Sequence, residues 1–130
     1  MEIKLNVVLT ISAIPLFLMG IFATVATSAM LGANGYDVNP ASIHMARATG
    51  ASFIGIALMI FLARNSGPSE ARNALVMGFT VFLLLAAIVD ARAILAGTMP
   101  PSGWVYGVGL WLVFFVLNVL AGRSAMTEES

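Results

Sequence analysis

The sequence predicts an all-α integral membrane protein: a single domain over residues 1–130, built as an up-down bundle of four transmembrane helices. Three observations predict it. Four mainly apolar runs of 20 or more residues are separated by short stretches of Gly, Asn, Pro and Ser. Hydrophobic residues make up 60% of the chain and charged residues 9%, where a soluble domain carries about a quarter charged. Finally, the basic residues near the ends of these runs fall mostly at alternate connections, which is how helices sort across a bilayer. Each run is long enough to cross roughly 30 Å of hydrocarbon at about 1.5 Å per residue.

The first helix is expected over about residues 5–31. Ala26 to Ala29 offers small residues like those of a signal-peptide cleavage site, but the apolar run of about 27 residues exceeds the roughly 7–15 of a signal core, so a membrane span is expected. Pro15 removes one backbone hydrogen bond and predicts a kink near Ile11 to Pro15. Thr24, Thr27 and Ser28 can bond back to their own helix or face a neighbour.

Gly32 to Asn39 carries turn residues, and Asn39 followed by Pro40 reads as an N-cap with proline at the first helical position. The second helix is expected over 40–64, small-residued at first (Ala46, Gly50, Ala51) and bulky later. Asn65 to Ser69 is a tight turn. The third helix is expected over 68–96 and stops at Gly97, with Pro100 and Pro101 beyond. The fourth is expected over 102–122, where Trp104 and Tyr106 suit an interfacial aromatic belt and Gly103, Gly107 and Gly109 permit close approach of another backbone. The polar tail after it is expected to be mobile. Asn118 is placed to bond a neighbouring helix, and Trp111 is read as a packing residue.

Lys4, Arg64, Arg72 and Arg123 fall on the side that carries both termini, and the two opposite loops hold no Lys or Arg. The expected location is therefore a bacterial inner membrane with N and C termini cytoplasmic, these four cations and Trp104 and Tyr106 acting as interfacial anchors. Lys plus Arg equals Asp plus Glu at 6 each, which leaves no basic patch for nucleic acid. The chain has no cysteine, which excludes disulfides and thiolate-ligated metals.

Charges inside the spans are the candidate functional residues. Arg47 lies seven residues after Pro40 and Asp90 seven before Gly97, so an antiparallel hairpin of the second and third helices puts them at similar depth. A charge near the bilayer centre costs roughly 2.5–3.5 kcal/mol on insertion scales, which makes a salt bridge between them the expected arrangement. His44, one turn above Arg47, can extend this cluster, while Arg92 points away from Asp90 and can reach the headgroups. As a lone histidine, His44 is also a candidate axial ligand for haem iron or chlorophyll magnesium, but a second histidine is lacking and no cofactor is expected. No nucleophile, base and acid fall in a catalytic pattern and no metal-ligand spacing occurs, so no catalytic residue is assigned.

The run Arg47-Ala48-Thr49-Gly50, Gly55, the pair Ala63-Arg64, the run Ala71-Arg72-Asn73-Ala74 and Gly103-Trp104 together resemble small four-helix bacterial inner-membrane proteins of a loosely DoxX-like kind. That resemblance implies the same architecture and carries no catalytic residues with it. The function expected is a non-enzymatic scaffold or accessory subunit packing against membrane partners or itself as an oligomer. The alternatives are an oligomeric transporter or channel using Arg47 and Asp90, and a binder or enzyme for a lipophilic ligand.

Overall fold

The computed structural model describes residues 4–128; Glu2, set against Lys4 in the sequence, lies outside them. The elements are α1 (Leu5–Val25), α2 (Thr27–Ala33), α3 (Pro40–Ala63), α4 (Glu70–Leu95) and α5 (Leu110–Glu128), the last entered through a π-helical turn, Trp104–Gly109. Four helices, Leu5–Val25, Pro40–Ala63, Glu70–Leu95 and Trp104–Ala125, are long and apolar enough to cross a membrane, and at most 39% of any span is buried inside the bundle. The remaining apolar surface, such as Leu18, Leu62, Met77 and Val89, faces outward, as an apolar solvent requires.

The helix ends follow from local chemistry. Asn39 Oδ1 accepts from the Ser42 amide at 2.9 Å and Ser42 Oγ accepts from the Asn39 amide at 3.0 Å, a reciprocal cap in front of Pro40. Ser69 Oγ accepts from the Arg72 amide at 3.1 Å, which starts α4 at Glu70, two residues later than Pro68. Gly97 closes α4 with φ +79°, and Thr98 donates to the Ala93 carbonyl at 2.9 Å in the usual left-handed stop. α5 continues to Glu128, beyond the expected end at 122.

The first span, expected as one helix over about residues 5–31, is divided in two. Its helix runs through Pro15, and the break comes at Ala26, where φ is −112° and ψ 47°. Around that break Thr24 donates its hydroxyl to the Gly20 and Ile21 carbonyls, both at 3.0 Å, and Thr27 donates to Ala23 at 2.7 Å. Hydroxyls that take over carbonyls on the preceding turn bend a helix. Two such residues, three apart, account for the break.

The spans form a ring. α1 packs along α3, α5 packs on both α1 and α4, and among these neighbours α3 and α4 touch least. Gly20 and Gly50 set the α1–α3 seam: a Cβ on Gly20 would lie 2.8 Å from the Gly50 carbonyl oxygen, and one on Gly50 would lie 2.8 Å from the Gly20 oxygen. The core is filled by Leu9, Leu16, Ile60, Phe79 and Leu83. At one end of the ring Lys4, the turn from Arg64 to Ser66 and Ser124 come together, so the chain enters and leaves the bundle at that end. This is called the terminal end below, and its opposite the loop end.

The seam makes a testable contrast. Gly50→Ala adds a methyl where backbone already stands, and overpacking costs about 1–3 kcal/mol. Gly55→Ala, with nothing within 4 Å of its Cβ, gains helix propensity instead. Thermal unfolding in detergent should fall for the first variant and hold or rise for the second.

Candidate functional site

Asp90 is the one acidic residue well inside a described span, five residues before the end of α4 and so roughly 8 Å from it. Its partner is an indole. Trp111 Nε1 donates to Asp90 Oδ2 at 2.8 Å. Among the described residues no ion pair joins Asp90 to Arg47, and no hydrogen bond or ion pair links His44, Arg47 and Arg92 to one another. The expected hairpin salt bridge is therefore replaced by a tie between α4 and α5.

The physical reason lies in which face of α3 is used. The small residues flanking Arg47, Ala46 and Gly50, are buried, and Gly50 lies against Gly20, Ala23 and Thr24 of α1. That contact commits the face of α3 that carries Ala46 and Gly50 to α1 rather than to α4. Arg47 is left exposed on the bundle surface, as are His44 and Arg92. Long basic side chains near helix ends can extend to the headgroups, so exposure there is inexpensive.

α5 comes close to Asp90 because of its glycines. A Cβ on Gly107 would lie 2.7 Å from Asp90 Oδ2. Gly107 and Trp111 are four residues apart and share a helix face, so one supplies space and the other a donor. Gly109 accommodates the wide turn before α5: its Cβ would lie 3.0 Å from the Trp104 carbonyl oxygen, five residues back. Trp104 and Tyr106 are exposed at the loop end.

The indole is also the centre of an aromatic group. Phe53 of α3, Phe82 of α4 and Trp111 meet edge to face, with centroid separations of 5.8, 5.8 and 5.9 Å. Each such pair contributes about 0.5–1.5 kcal/mol beyond area burial. The group holds the ring of Trp111 from two sides while its N–H is held by the carboxylate. A second polar tie joins α5 to α1, where Asn118 Nδ2 donates to Ser12 Oγ at 3.1 Å and to the Phe114 carbonyl at 2.8 Å.

Sequence reasoning found Asp90 and Asn118 but assigned Trp111 only to packing. The missed signal is chemical: a buried indole needs an acceptor for its N–H, and Asp90 is the strongest acceptor within the spans. No group of three His, Cys, Asp or Glu able to hold a metal ion occurs among the described residues. No family model matches the chain, and no curated protein or solved structure compared with it is similar.

A double-mutant cycle tests the tie. Asp90→Leu and Trp111→Phe should show a coupling of about 1 kcal/mol in detergent stability, the scale of interhelical hydrogen bonds in membranes. Asp90→Leu and Arg47→Leu should show none. Exchanging the charges, Arg47→Asp with Asp90→Arg, should recover none of the stability lost in the single variants.

Proposed function

We propose that the chain is a non-enzymatic scaffold or accessory subunit of a bacterial inner membrane, packing against a membrane partner or a second copy of itself. The observation that carries this reading is how its intramembrane polar groups are spent. Asp90 is engaged by Trp111, Asn118 by Ser12 and the α5 backbone, and Thr24 and Thr27 by their own helix. These are ties within one bundle; Ser12 and Trp111 share a cavity of only about 20 Å³, walled otherwise by mainly apolar residues such as Leu16, Phe79 and Leu83.

The outward surface supports a docking role. α3 and α4 leave a groove of about 480 Å³ between them, walled by Ile56, Met59, Ala74, Leu75, Gly78 and Phe82. A Cβ on Gly78 would meet nothing within 4 Å. Ala74 and Gly78 are a small-xxx-small pair facing that groove, the pattern that lets a further helix approach closely in lipid. The positive-inside rule supports cytoplasmic termini, since Lys4, Arg64, Arg72 and Arg123 mark the terminal end. The DoxX-like resemblance belongs to the same proposal.

A channel would need Thr24, Thr27, Arg47 and Asp90 on one wet face, and the hydrogen bonds of Thr24 and Thr27 to their own helix and of Asp90 to Trp111 give that reading no support. A lipophilic ligand is the better alternative, because Phe82 both lines the groove and packs on Trp111.

The chain lacks cysteine, so a single cysteine is a clean probe. Gly78→Cys carrying a photoactivatable crosslinker in native membranes should give one discrete protein adduct, of doubled mass for a self-pair. The same probe at Val116, exposed on α5, should give lipid adducts only. Gly78→Leu, combined with the probe at Ala74, should abolish the protein adduct. Lipid adducts alone at all positions would remove the scaffold reading.

A further inference from the structure

We propose that Asp90 is a proton-exchange site reached from the loop end along the seam between α4 and α5, with the Met99 side chain as its lid. The order of groups along that seam carries the proposal. A Cβ on Gly103 would lie 3.0 Å from Met99 Cε and 3.1 Å from its Sδ. One on Gly107, a turn further in, would lie 3.4 Å from Met99 Cε and 2.7 Å from Asp90 Oδ2. Trp111, a further turn in, donates to that same oxygen. From the loop end inward the seam therefore reads Met99, Asp90, Trp111. The two glycines leave a notch, and a thioether fills its outer part.

The backbone of this loop is pinned, and the Met99 side chain is its movable part. The Ala93 carbonyl accepts from the Thr98 amide at 2.9 Å, the Met99 amide at 3.2 Å and the Thr98 hydroxyl at 3.0 Å. Pro100 and Pro101 fix φ beyond it, and the Gly103 amide donates to the Pro100 carbonyl at 2.9 Å. Met99 is partly buried, on an unbranched chain with three rotatable bonds. Its sulfur is a weak acceptor and no donor, so it can leave the notch without stranding a strong polar group.

A proton is the chemistry that fits. Asp90 stands roughly 8 Å inside the end of α4, so water at the loop end is about two turns away once Met99 swings out. Among the described residues the group bonded to its carboxyl is a neutral indole, so no ion pair ties it to one protonation state. Arg92 of α4 and His44 and Arg47 of α3 are exposed and are not bonded to it. Tyr106, beside Gly107, is exposed at the loop end, and α1 and α5 carry Lys4 and Arg123 at the opposite end. Intramembrane carboxyls are the groups that carry protons in membrane relays. Inward of Asp90 the Trp111 ring is flanked by Phe53 and Phe82, so exchange is with the loop-end side. Neither Asp90 nor Met99 lines the groove between α3 and α4, so the exchange site and the docking surface are separate parts of the bundle.

The full-length chain in nanodiscs, with isotope-labelled tryptophan, gives two indole N–H signals to follow by NMR. Trp104→Phe assigns them, and the exposed Trp104 indole is the reference for open exchange with water. Changing the pH should shift the Trp111 signal, because a carboxylate accepts more strongly than a carboxyl, and Asp90→Asn should abolish the shift. Met99→Ala should speed exchange of the Trp111 indole proton roughly tenfold or more, with the Trp104 indole and the α1 amides unchanged. Gly103→Ala, whose methyl would displace Met99, should act the same way, so the result does not hang on one variant. Met99→Leu, which refills the notch, and Met77→Ala, on the outer surface, should change exchange less than about twofold. A Trp111 signal that ignores pH, a shift that survives Asp90→Asn, or equal exchange with Met99 present and removed would overturn the proposal.

Discussion

The arrangement depends on the contact between Gly20 and Gly50. Helices in lipid gain little from hiding apolar surface, because the lipid is apolar too; they associate through close packing and polar ties. Two glycines facing each other bring the backbones of α1 and α3 to a separation that no Cβ would permit. Dispersion falls off steeply with distance, so this seam is where the bundle gains most from contact. α3 thereby commits the face that carries Ala46 and Gly50 to α1. α4 is left to find its close neighbour in α5, and α5 offers Gly107 for the purpose.

The fate of Asp90 follows from that division. A carboxylate about 8 Å inside a span must be solvated by the protein or pulled toward the headgroups. Arg47 belongs to a helix whose packed face points elsewhere. Trp111 stands one turn beyond Gly107 and supplies the donor at 2.8 Å. Its ring is meanwhile fixed by Phe53 and Phe82, so the hydrogen bond and the aromatic group position each other. The tie is directional, and it sets the rotation of α5 about its own axis in a way that apolar contacts alone do not.

Features governed by neighbouring residues were legible in the sequence. The Asn39–Pro40 start, the Gly97 stop and the four spans rest on local chemistry and composition, and each is found. Features governed by which face meets which partner were not. Ala46, Ala48, Gly50 and Ala51 point around much of α3, so their small size alone does not say whether α1 or α4 lies against them. Equal depth then made Arg47 and Asp90 look like partners, although depth fixes only one of the coordinates that a contact needs. The break at Ala26 was hidden for a related reason: Pro15 always costs one hydrogen bond, whereas Thr24 and Thr27 bend a helix only when their hydroxyls turn back on it.

The same seam that separates Arg47 from Asp90 also assembles the opposite end. Arg64 and Arg72 flank a short turn, so any hairpin of α3 and α4 brings them near each other. Lys4 has no such local reason to join them. It does so because α1 is held along α3, which carries the start of α1 to the end of α3. A basic distribution that satisfies topology could have been scattered over that surface. Here the packing gathers Lys4, Arg64 and Arg72 around one cavity. The bundle thus meets its intramembrane carboxylate with a neutral donor and brings basic residues from three separate segments together at its terminal end.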